Sequence, residues 1–112
     1  IAIGYPSYRD QVMKSRRAEG MGELLELADR MERYYSGNGT YNGATLGPDD
    51  DDVYETSTEK GNYTLGITSA TTTLFTITAT PVAPQDKDKC GTFTLTSSGQ
   101  KSAGGGNDCW KI

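Results

Sequence analysis

Apolar residues in the first third of the chain recur every three or four positions, a spacing that places side chains on one face of an α-helix. The positions are Met21, Leu24, Leu25, Ala28, Met31 and Tyr35. Pro6 suits the first turn, because its missing N–H would have no intrahelical partner there. We therefore predict a long helix within residues 1–35, with a length of about 45 Å counted from Pro6.

The two halves of this helix differ in composition. Between residues 9 and 17 the only apolar residues that break the polar run are Val12 and Met13, so this half has little to bury against its own domain. We expect Lys14, Arg16 and Arg17 to be exposed in the isolated domain and this half of the helix to contact another molecule. The alternative is that this half of the helix is solvated and frayed and contacts no other molecule.

Three later segments alternate apolar residues with threonine or glycine, which indicates an antiparallel sheet with one buried face and one wet face. They begin at Tyr63, Phe75 and Phe93. Pro81 and Pro84 end the second segment. The apolar face of the helix is the only sizeable apolar surface that the sequence offers as a partner, so we expect it to cover the buried face of the sheet. The expected core is Leu24, Leu25 or Leu27, Ala28, Met31, Leu65, Ile67, Phe75, Ile77, Phe93 and Leu95.

Residues 36–62, between the helix and the sheet, are rich in Gly, Asn, Asp and Thr and are predicted to be a connecting loop. Tyr41, Leu46, Val53 and Tyr54 are its expected anchors, since a connection of this length without packed residues is uncommon. Residues 99–107 contain three consecutive glycines. We predict that they form an exposed loop without regular structure.

The chain has 112 residues, which is enough for one domain, 1–112, and one core. Its hydrophobic content of 34% is low, so a covalent cross-link would help to stabilise the fold. Cys90 and Cys109 are 19 positions apart (109 − 90), and closing such a loop stabilises a fold by roughly 3 kcal/mol in the chain-entropy model. A disulfide would indicate an oxidising compartment; two free thiols are the alternative that spacing leaves open.

The sequence contains no histidine, so the commonest general base and metal ligand is missing. No nucleophile-elbow, P-loop or dinucleotide motif occurs. We expect no catalytic residues, no cofactor and no metal. The one dense acidic cluster is residues 49–52 with Glu55. We interpret it as a solvated loop; Ca²⁺ binding is the alternative, although the cluster lacks the spacing and central glycine of an EF-hand.

Five short segments resemble the type IV pilins, and most closely their PilE-like branch. They are Pro6-Ser7-Tyr8, Ser15-Arg16-Arg17-Ala18-Glu19, Glu32-Arg33-Tyr34-Tyr35, the run from Cys90 to Thr96, and Asp108-Cys109-Trp110. The resemblance implies an α+β fold: a long N-terminal α-helix packed on an antiparallel β-sheet of three to four strands. It also implies a Cys90–Cys109 disulfide bounding a C-terminal loop. The expected segments are a helix at 1–35, a connecting loop at 36–62, a sheet at 63–96 and a disulfide region at 90–109.

The sequence differs from that family at its start, where pilins carry a basic leader and about twenty apolar residues. Ile1-Ala2-Ile3 resembles the end of that apolar segment, so we interpret the chain as the head domain of a longer, membrane-inserted precursor. Such a subunit lies in the inner membrane and periplasm before assembly, and afterwards in an extracellular pilus on the bacterial surface.

The resemblance implies a structural role, as a major or minor pilin that assembles into a filament for surface attachment and motility, and not an enzyme. Its expected partners are other pilin subunits, the inner membrane through the N-terminal segment, and the pilus assembly machinery. We expect no specific small molecule, and nucleic acid is an unlikely partner. The expected subunit interface is Tyr5, Tyr8, Arg9, Val12, Met13, Arg16 and Arg17.

Two alternatives remain for the function. One is a surface adhesin or binding module that uses its loops. The other is a type II secretion pseudopilin, a related family that often binds calcium in its C-terminal loop. Here that loop contains Asp108 as its one acid, which favours a pilin.

Overall fold

The computed structural model describes residues 4–48, 52–83 and 85–110, and for residues 4–10, 107 and 108 it describes the backbone only. One helix, α1, spans Gly4–Asn38. Its 35 residues correspond to a rod of about 52 Å. The helix ends where Gly39 takes a φ of +73° and its N–H donates to the Tyr35 carbonyl over 2.7 Å, because glycine adopts this left-handed geometry without strain.

Four antiparallel strands follow in the order β1-β2-β3-β4, so that each strand pairs with the next one along the chain. Their bounds are β1 Tyr63–Ala70, β2 Phe75–Pro81, β3 Phe93–Thr96 and β4 Lys101–Ala103. Short 3₁₀ turns span Gln85–Lys87 and Asn107–Trp110. A bulge interrupts the β1–β2 register between Ile67 and Ser69.

Strand β4 corrects the prediction that residues 99–107 hold no regular structure. Gly99 takes a φ of +89°, and the chain returns so that Leu95 pairs with Lys101 and Phe93 pairs with Ala103. Backbone pairing with β3 therefore creates β4, although its three residues show no apolar alternation.

The core lies between α1 and one face of the sheet, as predicted. Leu24, Leu27 and Met31 are fully buried, whereas Leu25 is 45% exposed. The apolar face of the helix therefore passes through Leu27 and not Leu25, and Tyr35 also lies outside it. The sheet contributes the buried residues Tyr63, Leu65, Phe75, Ile77, Ala79, Phe93 and Leu95. Two expected core members, Ala28 and Ile67, are partly buried and pack against this cluster.

The helix and the sheet approach each other closely at Gly20. A Cβ atom there would lie 2.7 Å from the ring of Tyr63, the first residue of β1. Any larger residue at position 20 would therefore displace this ring. By contrast, Gly22 faces open space.

The connecting loop is anchored by the four residues that the sequence predicts. Tyr41 is buried, and Leu46, Val53 and Tyr54 pack against the core. Two hydroxyls also join the loop to the helix: Tyr41 donates to Glu32 over 2.8 Å, and Tyr54 donates to Glu23 over 3.0 Å.

The predicted disulfide between Cys90 and Cys109 is confirmed, with Cα atoms 5.9 Å apart and both residues buried. The following residue, Trp110, packs edge-on against Phe93 with ring centroids 5.4 Å apart. Its indole N–H donates to the Ser102 carbonyl in β4 over 2.7 Å. The disulfide region is thus held against the sheet by a covalent bond, an aromatic contact and a hydrogen bond.

Candidate subunit interface

The first half of α1 holds the seven predicted interface residues. For Tyr5, Tyr8 and Arg9 the side chains lie outside the described residues. Lys14 is exposed, as expected, whereas Arg16, which was also expected to be exposed, is half-buried, as are Val12 and Met13. Among the described contacts, the first that joins the helix to the rest of the domain is at Met13, whose carbonyl accepts a hydrogen bond from Gln85 over 3.1 Å.

Arg17 does not behave as the sequence predicts. Its guanidinium forms a two-point ion pair with Asp88, with Nε 2.7 Å from Oδ2 and Nη2 2.9 Å from Oδ1. The two side chains are only 13% and 3% exposed. The expectation that Arg17 is exposed is therefore wrong, because the chain after β2 places a carboxylate beside the helix, 71 residues away in sequence.

Gln85 extends this contact into the core. Its side-chain amide N–H group donates to the Met13 carbonyl and to the Tyr63 hydroxyl, each over 3.1 Å, and the residue is fully buried. Burial raises the pKa of Tyr63, and the hydrogen bond from Gln85 partly offsets this rise. We call Arg17, Asp88, Gln85 and Tyr63 the buried polar cluster.

The buried polar cluster divides the helix into two parts. From Met13 onward, the helix is joined to the head by hydrogen bonds and then by apolar packing. The cationic side chains of Lys14 and Arg16 remain available for outside contacts, since the described part of the chain contains no ion pair to either of them. Lys14 and Arg16 thus form a basic surface on the helix, next to the part of the domain that hydrogen bonds and apolar packing hold against it.

The connecting loop makes a second surface. Burial, with the hydrogen bond to Glu32, raises the pKa of Tyr41 to about 12. Burial, with the hydrogen bond to Glu23, likewise raises the pKa of Tyr54 to about 12. Both hydroxyls therefore stay protonated, and keep donating, at all physiological pH values.

An open cleft in this loop is lined by Gly47, Pro48 and residues 55–61. Glu55 of the acidic cluster lines this cleft, and residues 49–51 of that cluster lie outside the described residues. Within the described part, no group of three or more acidic, Cys or His side chains is arranged to hold a metal ion. Asp52 accepts a hydrogen bond from the Thr45 hydroxyl.

A third surface adjoins the disulfide. Lys87 and Lys89 precede Cys90 in the chain, Lys101 lies in β4, and all three are exposed. The Lys101 ammonium lies 5.6 Å from the ring centroid of Trp110. Cation and aromatic ring are within the range of a favourable contact. The sequence analysis did not single out these lysines, because they lie in two segments, one before Cys90 and one in β4.

No described helix combines the length and apolar character required to cross a membrane. A family model described as "Type IV minor pilin ComP, DNA uptake sequence receptor" matches residues 6–94. A comparison with curated protein sequences finds no match.

Two solved pilins share this fold. The crystal structure of the non-core minor pilin PilV of Neisseria meningitidis is 26% identical, with a TM-score of 0.67, over 87% of this chain and 91% of that one. A type IV pilin from Shewanella oneidensis is 25% identical, with a TM-score of 0.56, over 80% of this chain and 89% of that one.

Proposed function

Because this chain belongs to the type IV minor pilin ComP family, we propose that it is a structural subunit that assembles into a type IV pilus through the first half of α1. The pilin fold supports a structural role and not an enzymatic one. The observation that supports the assembly surface is that Lys14 and Arg16 stand on the helix without an intramolecular ion pair in the described part of the chain.

In this proposal the basic helix surface faces acidic side chains of neighbouring subunits. Candidate acids are Glu26, Asp29 and Glu32, which are exposed on the second half of the same helix. Within the subunit they already contact Arg30, Arg33 and the Tyr41 hydroxyl, respectively, so a neighbouring cation would have to share or replace these contacts. Charge complementarity of this kind determines orientation and register more than affinity. The precursor would lie in the inner membrane before the assembly machinery adds it to the extracellular filament. Attachment and motility are the processes that such a filament would serve.

The test is a charge reversal in the full-length protein, Lys14→Glu with Arg16→Glu. We expect a folded head but a reduced amount of this subunit in sheared filaments, because like charges would then face each other. Arg17 is unsuitable for this test, since reversing it would leave Asp88 buried beside a second negative charge. Lys60→Glu, an exposed change in the connecting loop, is the matched control.

Circular dichroism of the head reports folding, and immunoblots of sheared filaments report incorporation. Normal incorporation of the doubly reversed subunit would exclude the assembly role of this surface. A surface adhesin would instead show normal filaments and lose binding when its loops are changed.

DNA binding is a second candidate, favoured by the description of the matching family as a DNA uptake sequence receptor. The chain as a whole has a net charge of −4, which opposes binding to phosphates. The surface beside the disulfide differs from this average, because its exposed Lys87, Lys89 and Lys101 could contact phosphates and Trp110 offers an aromatic ring. Of the nearby acids, Asp88 is already paired with Arg17.

Selection of duplexes from a random-sequence library by the oxidised head tests this candidate. Enrichment of one sequence, lost in Lys89→Ala with Lys101→Ala but kept in Lys60→Ala, would support a receptor. Each lost phosphate contact should also lower the slope of log K against log salt by about 1. Absence of enrichment together with absence of salt-dependent binding would exclude it.

A further inference from the structure

Two Asn-Gly pairs lie where α1 meets the connecting loop: Asn38-Gly39 at the end of the helix and Asn42-Gly43 in the loop. In such a pair the glycine nitrogen can attack the asparagine side-chain amide carbon, because glycine has no Cβ to obstruct the approach. The attack forms a C–N bond and expels ammonia, which gives a cyclic succinimide. Water then opens the ring to aspartate or isoaspartate.

The first pair is protected by the end of the helix. Asn38 lies in α1, and its side-chain amide donates to the Tyr34 carbonyl over 2.9 Å. The Gly39 N–H donates to the Tyr35 carbonyl over 2.7 Å. Attack would require both hydrogen bonds to break, so the folded domain opposes the reaction at this pair.

The second pair lacks both of these constraints. Asn42 and Gly43 are exposed, and no described residue accepts a hydrogen bond from the Gly43 N–H. The Tyr34 hydroxyl donates to the Asn42 carbonyl over 3.3 Å. This carbonyl belongs to the same peptide bond as the Gly43 nitrogen, and peptide resonance connects the two atoms.

The hydrogen bond from Tyr34 affects the reacting nitrogen directly. Before attack, base removes the Gly43 N–H proton, and resonance moves the resulting negative charge onto the Asn42 oxygen. A hydroxyl that already donates to this oxygen stabilises the charge, as a donor does in an oxyanion hole.

We propose that Asn42 is a site of selective deamidation in the folded protein, promoted by the Tyr34 hydroxyl, while Asn38 is protected. The net reaction consumes one water and releases one ammonia. The product adds a negative charge to the exposed loop, and the isoaspartate form also lengthens its backbone by one methylene.

The test is incubation of the oxidised domain in mildly alkaline buffer, followed by peptide mapping and enzymatic isoaspartate labelling. In the folded protein we expect Asn42 to be converted and Asn38 to persist. The same chain, reduced and in denaturant, should convert both pairs at similar rates. Equal conversion of both in the folded protein, or of neither after the denatured chain has reacted, would overturn the proposal.

Two matched variants test the role of the hydroxyl. Tyr34→Phe keeps the ring and should slow conversion of Asn42 several-fold in the folded domain, with no effect in denaturant. Tyr35→Phe removes the neighbouring hydroxyl, which makes no described hydrogen bond to the pair, and should leave the rate unchanged. An unchanged folded-state rate in Tyr34→Phe, with circular dichroism of the native form, would exclude Tyr34.

Discussion

Replacing Arg17 by alanine should destabilise the domain strongly, although the side chain lies in the polar half of the helix. The change removes two charge-assisted hydrogen bonds and leaves Asp88, whose side chain is 3% exposed, charged and without its partner. Breaking a buried pair in this way costs about 3–5 kcal/mol. A domain of 112 residues has a total stability of roughly 6–17 kcal/mol at about 0.05–0.15 kcal/mol per residue.

The assay is urea denaturation of the oxidised domain, followed by circular dichroism and by the fluorescence of Trp110. We expect the midpoint to fall while the slope stays constant, which reports a change in stability alone. Arg16→Ala is the matched control at the adjacent position. Arg16 is half-buried but makes no described ion pair of its own, so its replacement should cost about 1 kcal/mol or less.

A double-mutant cycle separates the pair from the packing of the arginine stem. Arg17→Met with Asp88→Leu removes both charges and keeps apolar volume, so it should recover much of the loss seen in either single variant. We expect a coupling energy at or above the upper part of the usual range, about 3 kcal/mol. Equal losses in Arg17→Ala and Arg16→Ala, or a coupling near zero, would refute the buried-pair argument.

Three further predictions use urea denaturation in the same way. Gly20→Ala should lower the free energy of unfolding by about 1–3 kcal/mol, because the new methyl group meets the ring of Tyr63. Gly22→Ala is the control and should raise it by up to about 1 kcal/mol. A stabilising Gly20→Ala would contradict the close approach of helix and sheet. Leu24→Ala should lower the free energy of unfolding by about 2–5 kcal/mol, because Leu24 is fully buried. Leu25→Ala should lower it by less than about 1 kcal/mol. Equal losses would place both leucines on the buried face of the helix. Stability should fall as pH rises from 10 to about 12, because the pKa values of Tyr41 and Tyr54 are raised in the fold and the unfolded state therefore loses these protons first. Tyr41→Phe should make this decline shallower without abolishing it, and an unchanged decline would exclude Tyr41 as one of its sources.

The sequence predicts those parts of the fold that have a local pattern. Spacings of three and four identify the helix, and alternation with threonine identifies three of the four strands. The same spacing does not distinguish Leu25 from Leu27, because both lie three or four positions from other apolar residues. Only the position of the sheet decides which of them is buried.

The parts that the sequence does not predict depend on residues far apart in the chain. Arg17 and Asp88 are 71 positions apart, and neither has a neighbour that indicates a buried pair. Strand β4 has a polar sequence, so its pairing comes from the turn at Gly99 and from the disulfide. For the proposed interface, the sequence predicts a basic half-helix, but only the structure shows that Arg17 pairs with Asp88 of the same chain.

The strand order has a consequence for how the subunit folds. Because each strand pairs with its successor, the β1–β2 and β3–β4 hairpins close over four-residue turns, residues 71–74 and 97–100. Such local closures cost little entropy and form fast. The helix joins through contacts of high sequence separation, such as the one to Asp88, and these are slower to find. The hairpins should therefore form before the helix docks onto the apolar face of the sheet, which includes Leu65, Ile77 and Leu95.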